Sequence, residues 1–139
     1  MATREVFISY DYNYDKGDKD RLLGWNSEHE LELTSYDNAL NVELDSHEAA
    51  AVKQEIAERI GHASHFLCIV GKETYSSGWA KWKIQKALEL NKKLIAVKLD
   101  SLNNSPASLQ RRDVSWCMKF NLASIKKAIA VPTTGILPV

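Results

Sequence analysis

Phe66-Leu67-Cys68-Ile69-Val70-Gly71 is an unbroken apolar run closed by a glycine. Such a run reads as a strand covered on both faces and therefore central in a parallel sheet. Upstream of it, Ala49, Val52, Ile56 and Ile60 recur at helical spacing, and Asp45 with Glu48 three residues on reads as the capping box of that helix. Downstream, Ser76-Ser77-Gly78 supplies N-cap chemistry for a helix expected from about Trp79 to Asn91. Its inward face would carry Ala80, Ile84, Ala87 and Leu88, with Lys92-Lys93 at the negative end of its dipole. Leu94-Ile95-Ala96-Val97-Lys98-Leu99 then reads as the next strand.

The pattern extends towards both ends of the chain. Val6-Phe7-Ile8-Ser9-Tyr10 is a β-branched and aromatic run followed by a polar, turn-forming stretch from Asp11 to Asp20, which gives a first strand and its loop. Arg21-Leu22-Leu23-Gly24-Trp25 belongs to a first helix, with a start expected between Asp15 and Asp20. His29 to Thr34 alternates Leu31 and Leu33 with Glu30 and Glu32, as a half-exposed edge strand does. Between Ala107 and Ala130, Leu122, Ile125 and Ile129 fit a last helix, and residues 131–139, with two prolines and no helical period, read as an extended arm. The expected organisation is one domain over residues 1–130 followed by that tail. Strands alternating with helices predict an α/β, flavodoxin-like three-layer fold, in which helices flank a short central parallel sheet joined by right-handed crossovers. Ligands of such sheets bind beyond the carboxyl ends of the strands. Those ends are Ser9 to Tyr14, Tyr36 to Asp45, Gly71 to Trp79 and Asp100 to Pro106.

The composition narrows the function classes. With 18 Lys and Arg against 18 Asp and Glu in 139 residues, there is no net field to gather nucleic acid or an anionic membrane surface. No run approaches a membrane span and the N-terminus lacks the regions of a signal peptide, so a cytoplasmic location is expected. Cys68 and Cys117 have neither metal-ligand spacing nor a disulfide framework, and His29, His47, His62 and His65 show no ligand spacing, so no metal site is expected.

Three stretches carry a family resemblance: Val6-Phe7-Ile8-Ser9-Tyr10-Asp11-Tyr12, then Phe66 to Thr74, then Ser77-Gly78-Trp79-Ala80-Lys81-Trp82-Lys83-Ile84-Gln85-Lys86-Ala87. In this order, through Asp100, they closely resemble the TIR-like family of prokaryotes related to the Thoeris antiphage protein ThsB. The resemblance implies a flavodoxin-like fold, self-association and no prosthetic group. For active members it also implies cleavage or cyclisation of NAD into an ADP-ribose signal that switches on a partner effector. Active TIR domains resemble one another in placing a Glu on the third helix, four residues after a Trp. Trp79 matches that Trp here, and Lys83 stands at the Glu position.

Breaking the bond between nicotinamide and ribose creates oxocarbenium-like charge, which a nearby carboxylate stabilises or traps. A cation at Lys83 would oppose that charge, although it could hold a diphosphate. Glu73, just past the central strand, is then the candidate catalytic carboxylate, with Glu43 or Asp45 as further candidates from the loop after the second strand. The alternative is a non-catalytic module that self-associates or senses a nucleotide. For each carboxylate the plainer role is a solvated loop residue or a helix cap. Ser9, Tyr10, Asp11 and Tyr12 at the end of the first strand, with Gly71, Ser77, Trp79 and Trp82, are the candidate nucleotide-binding residues. Their aromatic rings suit a base and their helix-start amides suit a phosphate. Core packing or a subunit contact is the competing role for those rings.

Overall fold

The structure is a computed structural model that describes residues 5–37, 42–111, 113–117 and 119–131; the 131–139 tail falls almost wholly outside them. β1 (Glu5–Ser9), β2 (Glu32–Thr34), β3 (His65–Val70), β4 (Lys93–Lys98) and β5 (Ser115–Trp116) form one sheet in the order β2-β1-β3-β4-β5. Every pairing is parallel: Phe7 faces Phe66 across β1 and β3, and Cys68 faces Ala96 across β3 and β4. This is the flavodoxin-like order, whose direction of winding reverses between β1 and β3.

Among the described residues four α-helices cover the sheet: α1 (Tyr12–Trp25), α2 (Ala49–His62), α3 (Gly78–Glu89) and α4 (Leu122–Ala130). Alternation along the strands divides the apolar residues between two cores. On one face Phe7, Phe66, Cys68 and Val70 meet Val52, Ile56 and Ile60 of α2 and Ile84 and Ala87 of α3. On the other, Val6, Ile8, Leu67, Ile69, Ile95 and Val97 meet Leu22 of α1 and Ile125 and Ile129 of α4. The Phe7 and Phe66 rings stack with centroids 5.8 Å apart, directly over the central pairing.

Three local expectations are corrected. The stretch from Asp11 to Asp20 is helix, because the Asp11 side chain accepts the Asn13 amide and caps α1 well before the apolar pattern begins at Leu22. α2 is not started by a capping box at Asp45: Glu48 is its N-cap residue and makes no side-chain cap bond. Asp45 sits instead in a turn closed by the Ser46 amide and hydroxyl on the Glu43 carbonyl. The strand β5 is an addition to the expected set, since Ser115-Trp116 is too short to show any alternation. Only β4 pairs with it.

α1 buries an unusual set of residues for a helix on a core, namely Asp15, Lys19 and Leu22. The Asp15 carboxylate packs against Gly71 at the end of β3, where a Cβ would collide with it. Gly71 is therefore required for room rather than for a left-handed turn, as no glycine among the described residues has positive φ. Asp15 is 4% exposed and its Oδ2 has no hydrogen-bond partner among the described residues. Burial, with Asp11 and Asp18 nearby, pushes its acid up to about 6. A carboxyl whose folded pKa exceeds its unfolded value destabilises the fold once it must ionise. The cost therefore grows as pH rises from about 4 to 6 and stays constant above. Asp15→Asn removes the ionisation altogether. It is expected to raise stability at pH 7 by about 2 kcal/mol, the order of the penalty for ionising so displaced an acid, and to match the parent protein near pH 4; chemical denaturation across that range measures it.

Candidate functional site

A cleft of about 130 Å³ opens beyond the carboxyl ends of β1 and β2, walled by Tyr10, Asp11, Tyr12, Tyr36, Asp37, Ser77, Trp79 and Lys83. A deeper extension of about 20 Å³ runs inward past Ser9, Thr74 and Ala80. Its position follows from the winding. α1 leaves β1 on one face of the sheet and α3 leaves β3 on the other, so the starts of the two helices diverge and enclose a crevice between them.

Each wall is held by identifiable contacts. Asp11 Oδ1 accepts the Asn13 amide at 2.9 Å, and no described residue bonds its second oxygen. Ser77 caps α3 by accepting the Ala80 amide at 3.1 Å. The Trp79 indole donates to the Val42 carbonyl at 2.8 Å and meets Trp82 edge-on at 5.9 Å, which fixes its ring across the opening. The wall after β2 hangs on Asp37, which accepts the Tyr10 hydroxyl, the Ser35 hydroxyl at 3.0 Å and the Lys19 ammonium at 3.3 Å. Lys19 is buried, lies 5.0 Å from the Tyr10 ring centre and also pairs with Asp20 at 3.1 Å. Arg59 of α2 completes the wall by donating to the Ser35 carbonyl while its guanidinium covers the Tyr36 ring at 5.2 Å.

The charges follow from these contacts. Burial works to raise the Asp37 acid, but hydrogen bonds from Tyr10, Ser35 and Lys19 outweigh it and hold the carboxylate below its usual range. Burial, together with the adjacent Asp37, pushes the Tyr10 phenol far up, so it stays protonated. Lys83 projects from α3 onto the floor with 6% exposure, and burial brings its ammonium down to about 8 despite the opposing influence of Cys68, Asp11 and Asp37. Cys68 beneath it is pushed up to about 12 by burial and is an inert thiol.

The chain matches the family model of the Thoeris protein ThsB, TIR-like domain, over residues 7–104. It belongs to that family. No curated protein matches it. The whole cleft lies inside the ThsB TIR-like region, since its walls run from Tyr10 to Lys83. No helix among the described residues is long and apolar enough to cross a membrane.

Of the residues singled out in the sequence of this ThsB-type domain, Ser9, Tyr10, Asp11, Tyr12, Ser77, Trp79 and Lys83 come together around the cleft and its extension. Three do not. Gly71 is turned towards Asp15. Trp82 packs on the helix-covered core with Lys53 and Lys86 over its ring at 5.9 and 5.6 Å. Glu73 is exposed: Thr74 folds inward, its hydroxyl accepting the Gly71 amide at 2.8 Å, and this turns Glu73 outward. Glu43 and Asp45 do not line the cleft either. Tyr36, Asp37 and Lys19 are site residues that the sequence pattern does not single out, although the first two closely follow the alternation that marks β2.

Lys19→Met tests the wall. It removes one of the three donors that hold the Asp37 carboxylate below its usual range, while leaving the larger contributions of Tyr10 and Ser35 in place. Asp37 is partly exposed, so the expected loss is about 1–2 kcal/mol at pH 7, less than for a fully buried pair. A depressed acid contributes stability above its unfolded pKa and loses it as pH falls through the folded one. The difference between variant and parent should accordingly shrink below about pH 4 in urea titrations.

Proposed function

We propose that the cleft binds NAD and breaks the bond between nicotinamide and its ribose, releasing an ADP-ribose product, linear or cyclised, as the signal of an antiphage system. The observation that carries this reading is Asp11. It is a carboxylate at the switch point of the sheet, anchored through one oxygen by the first turn of α1, with its second oxygen unbonded by any described residue and the rings of Tyr10, Tyr12, Tyr36 and Trp79 around it. A fixed carboxylate is what a developing oxocarbenium centre requires. As the N-glycosidic bond breaks, its electron pair leaves with nicotinamide, and C1 of the ribose becomes electrophilic towards water or towards a nucleophile within the same nucleotide. Asp11 would face C1, and the aromatic walls would sandwich the leaving ring.

The size of the cleft adds a constraint. About 130 Å³ is below the usual range for sites that enclose a whole drug-sized ligand, so only part of the dinucleotide enters and the remainder lies across the rim. A second copy closing over that rim would account for the self-association expected of the family. The signal would act on a separate effector protein.

Lys83 favours a second reading, in which the domain holds the nucleotide without cleaving it, because a cation stands where the family resemblance expects a carboxylate. One experiment separates the two. Nicotinamide release from NAD is measured at high protein concentration with a crowding agent, for the parent protein and for Asp11→Asn. Asparagine is as good an N-cap as aspartate, so the variant should keep its melting temperature. Turnover should fall by about 100-fold or more, as for the loss of one preorganised transition-state contact. Equal turnover in the variant would remove Asp11 from the reaction, and NAD binding without any release by the parent would establish the binding module instead.

A further inference from the structure

The cleft floor carries a positive charge that has no direct bonding partner among the described residues. Lys83 is more than nine-tenths buried, lines both the cleft and its inner extension, and forms no hydrogen bond or ion pair with any described residue. Buried ammonium groups are ordinarily paired, because an unpaired one forfeits its hydration without return. The carboxylates that face it, Asp11 and Asp37, act on it only at a distance. Asp11 from the start of α1 spends one oxygen on its capping bond. Asp37 from the end of β2 already accepts three donors, one of them the Lys19 ammonium. The Tyr10 phenol and the Cys68 thiol of β3 are held protonated.

A second feature opens on the same space. α3 has 12 residues and begins at Gly78, with its Ser77 cap and Trp79 among the cleft walls. Ser77 uses the Ala80 amide, whereas helix geometry gives the Gly78 and Trp79 amides no acceptor within the helix. The positive end of a helix and a buried, unpaired ammonium on that helix thus converge on one cavity.

We infer that the cleft floor is a phosphate subsite, in which Lys83 Nζ and the first amides of α3 receive the diphosphate or terminal phosphate of a nucleotide. This rests on the reading that a nucleotide is the ligand and adds its orientation. The phosphates go inward to α3, and the sugar next to them is brought alongside Asp11 and the aromatic walls. At the position where the family resemblance expects an anion for the ribose, this chain would hold the neighbouring chemical group instead.

Isothermal calorimetry of the full chain with pyrophosphate and with ADP-ribose tests the subsite without requiring turnover. The parent protein should bind both, Lys83→Met should lose roughly tenfold or more in affinity, the worth of a charge-assisted hydrogen bond, and Lys83→Arg should retain most of it. In the parent, pyrophosphate affinity should fall as pH rises through about 8, because the ammonium then gives up its charge. A comparison that needs no variant is nicotinamide riboside against nicotinamide mononucleotide, where the added phosphate should tighten binding to the parent by a similar factor. Unchanged pyrophosphate binding in a folded Lys83→Met, a flat pH profile, or no gain from the added phosphate would each overturn the subsite. Phosphate binding with no nicotinamide release would leave the subsite standing and refute cleavage alone; NAD cleavage with an unchanged KM in Lys83→Met would do the reverse.

Discussion

The parallel pairing of β1 with β3 is the constraint from which the rest of the molecule follows. Both strands are buried on both faces, so each alternate side chain must find a core, and Phe7 with Phe66 on one side and Ile8 with Leu67 on the other supply the two. A strand with two apolar faces needs helices on both. The chain meets that demand by sending α1 and α4 to one face and α2 and α3 to the other. The exits of β1 and β3 then diverge by necessity, and the crevice they leave is the cleft. Neither the position of the site nor the elements that wall it are independent of that pairing.

Charge is distributed in the cleft by the same geometry. α1 follows the carboxyl end of β1, and its buried residues are Asp15, Lys19 and Leu22. Each of the two charged residues is accommodated differently. Asp15 lies against the bare Cα of Gly71 with an oxygen unpaired among the described residues, an arrangement that opposes stability at neutral pH. Lys19 is matched by Asp37 and Asp20, and through Asp37 it fixes the segment that carries Tyr36. The stability given up at Asp15 and the order gained at Asp37 thus belong to one helix that builds the cleft wall.

The legible parts of the fold are those whose burial is apolar. The β3 run, the α2 stripe of Val52, Ile56 and Ile60, and the Ser77 cap of α3 all show in the sequence because one residue class repeats at one period or a cap residue stands at its boundary. The beginning of α1 is illegible for the complementary reason. Its inward positions are an aspartate and a lysine, it contains Gly17 and Gly24, and its first turn looks like a loop. The site is legible where it coincides with strand ends, as at Ser9 to Tyr12 and Ser77 to Trp79. Asp37 and Lys19 are hidden because their roles arise from a contact between residues 18 apart in the chain, which no local spacing displays. Glu73 shows the limit in the other direction: it follows β3 closely, yet the inward turn of Thr74 leaves it on the surface.

On the proposed reading, Lys83 decides how a nucleotide would lie in this cleft. A unit positive charge on the ribose about 4 Å from the ammonium would be disfavoured by about 4 kcal/mol at the effective dielectric of a protein surface, and by about half that at twice the distance. Several kcal/mol is most of what one preorganised contact gives a transition state. A ribose seated directly on α3, as a glutamate there would require, would therefore work against the cleavage proposed above. Moving the ligand so that a phosphate meets the ammonium would reverse the sign of that interaction and carry the ribose towards the start of α1, where Asp11 keeps an oxygen in the cleft wall unbonded by any described residue. On the proposed reading, the anion that the chemistry needs is thus supplied by the first helix rather than the third.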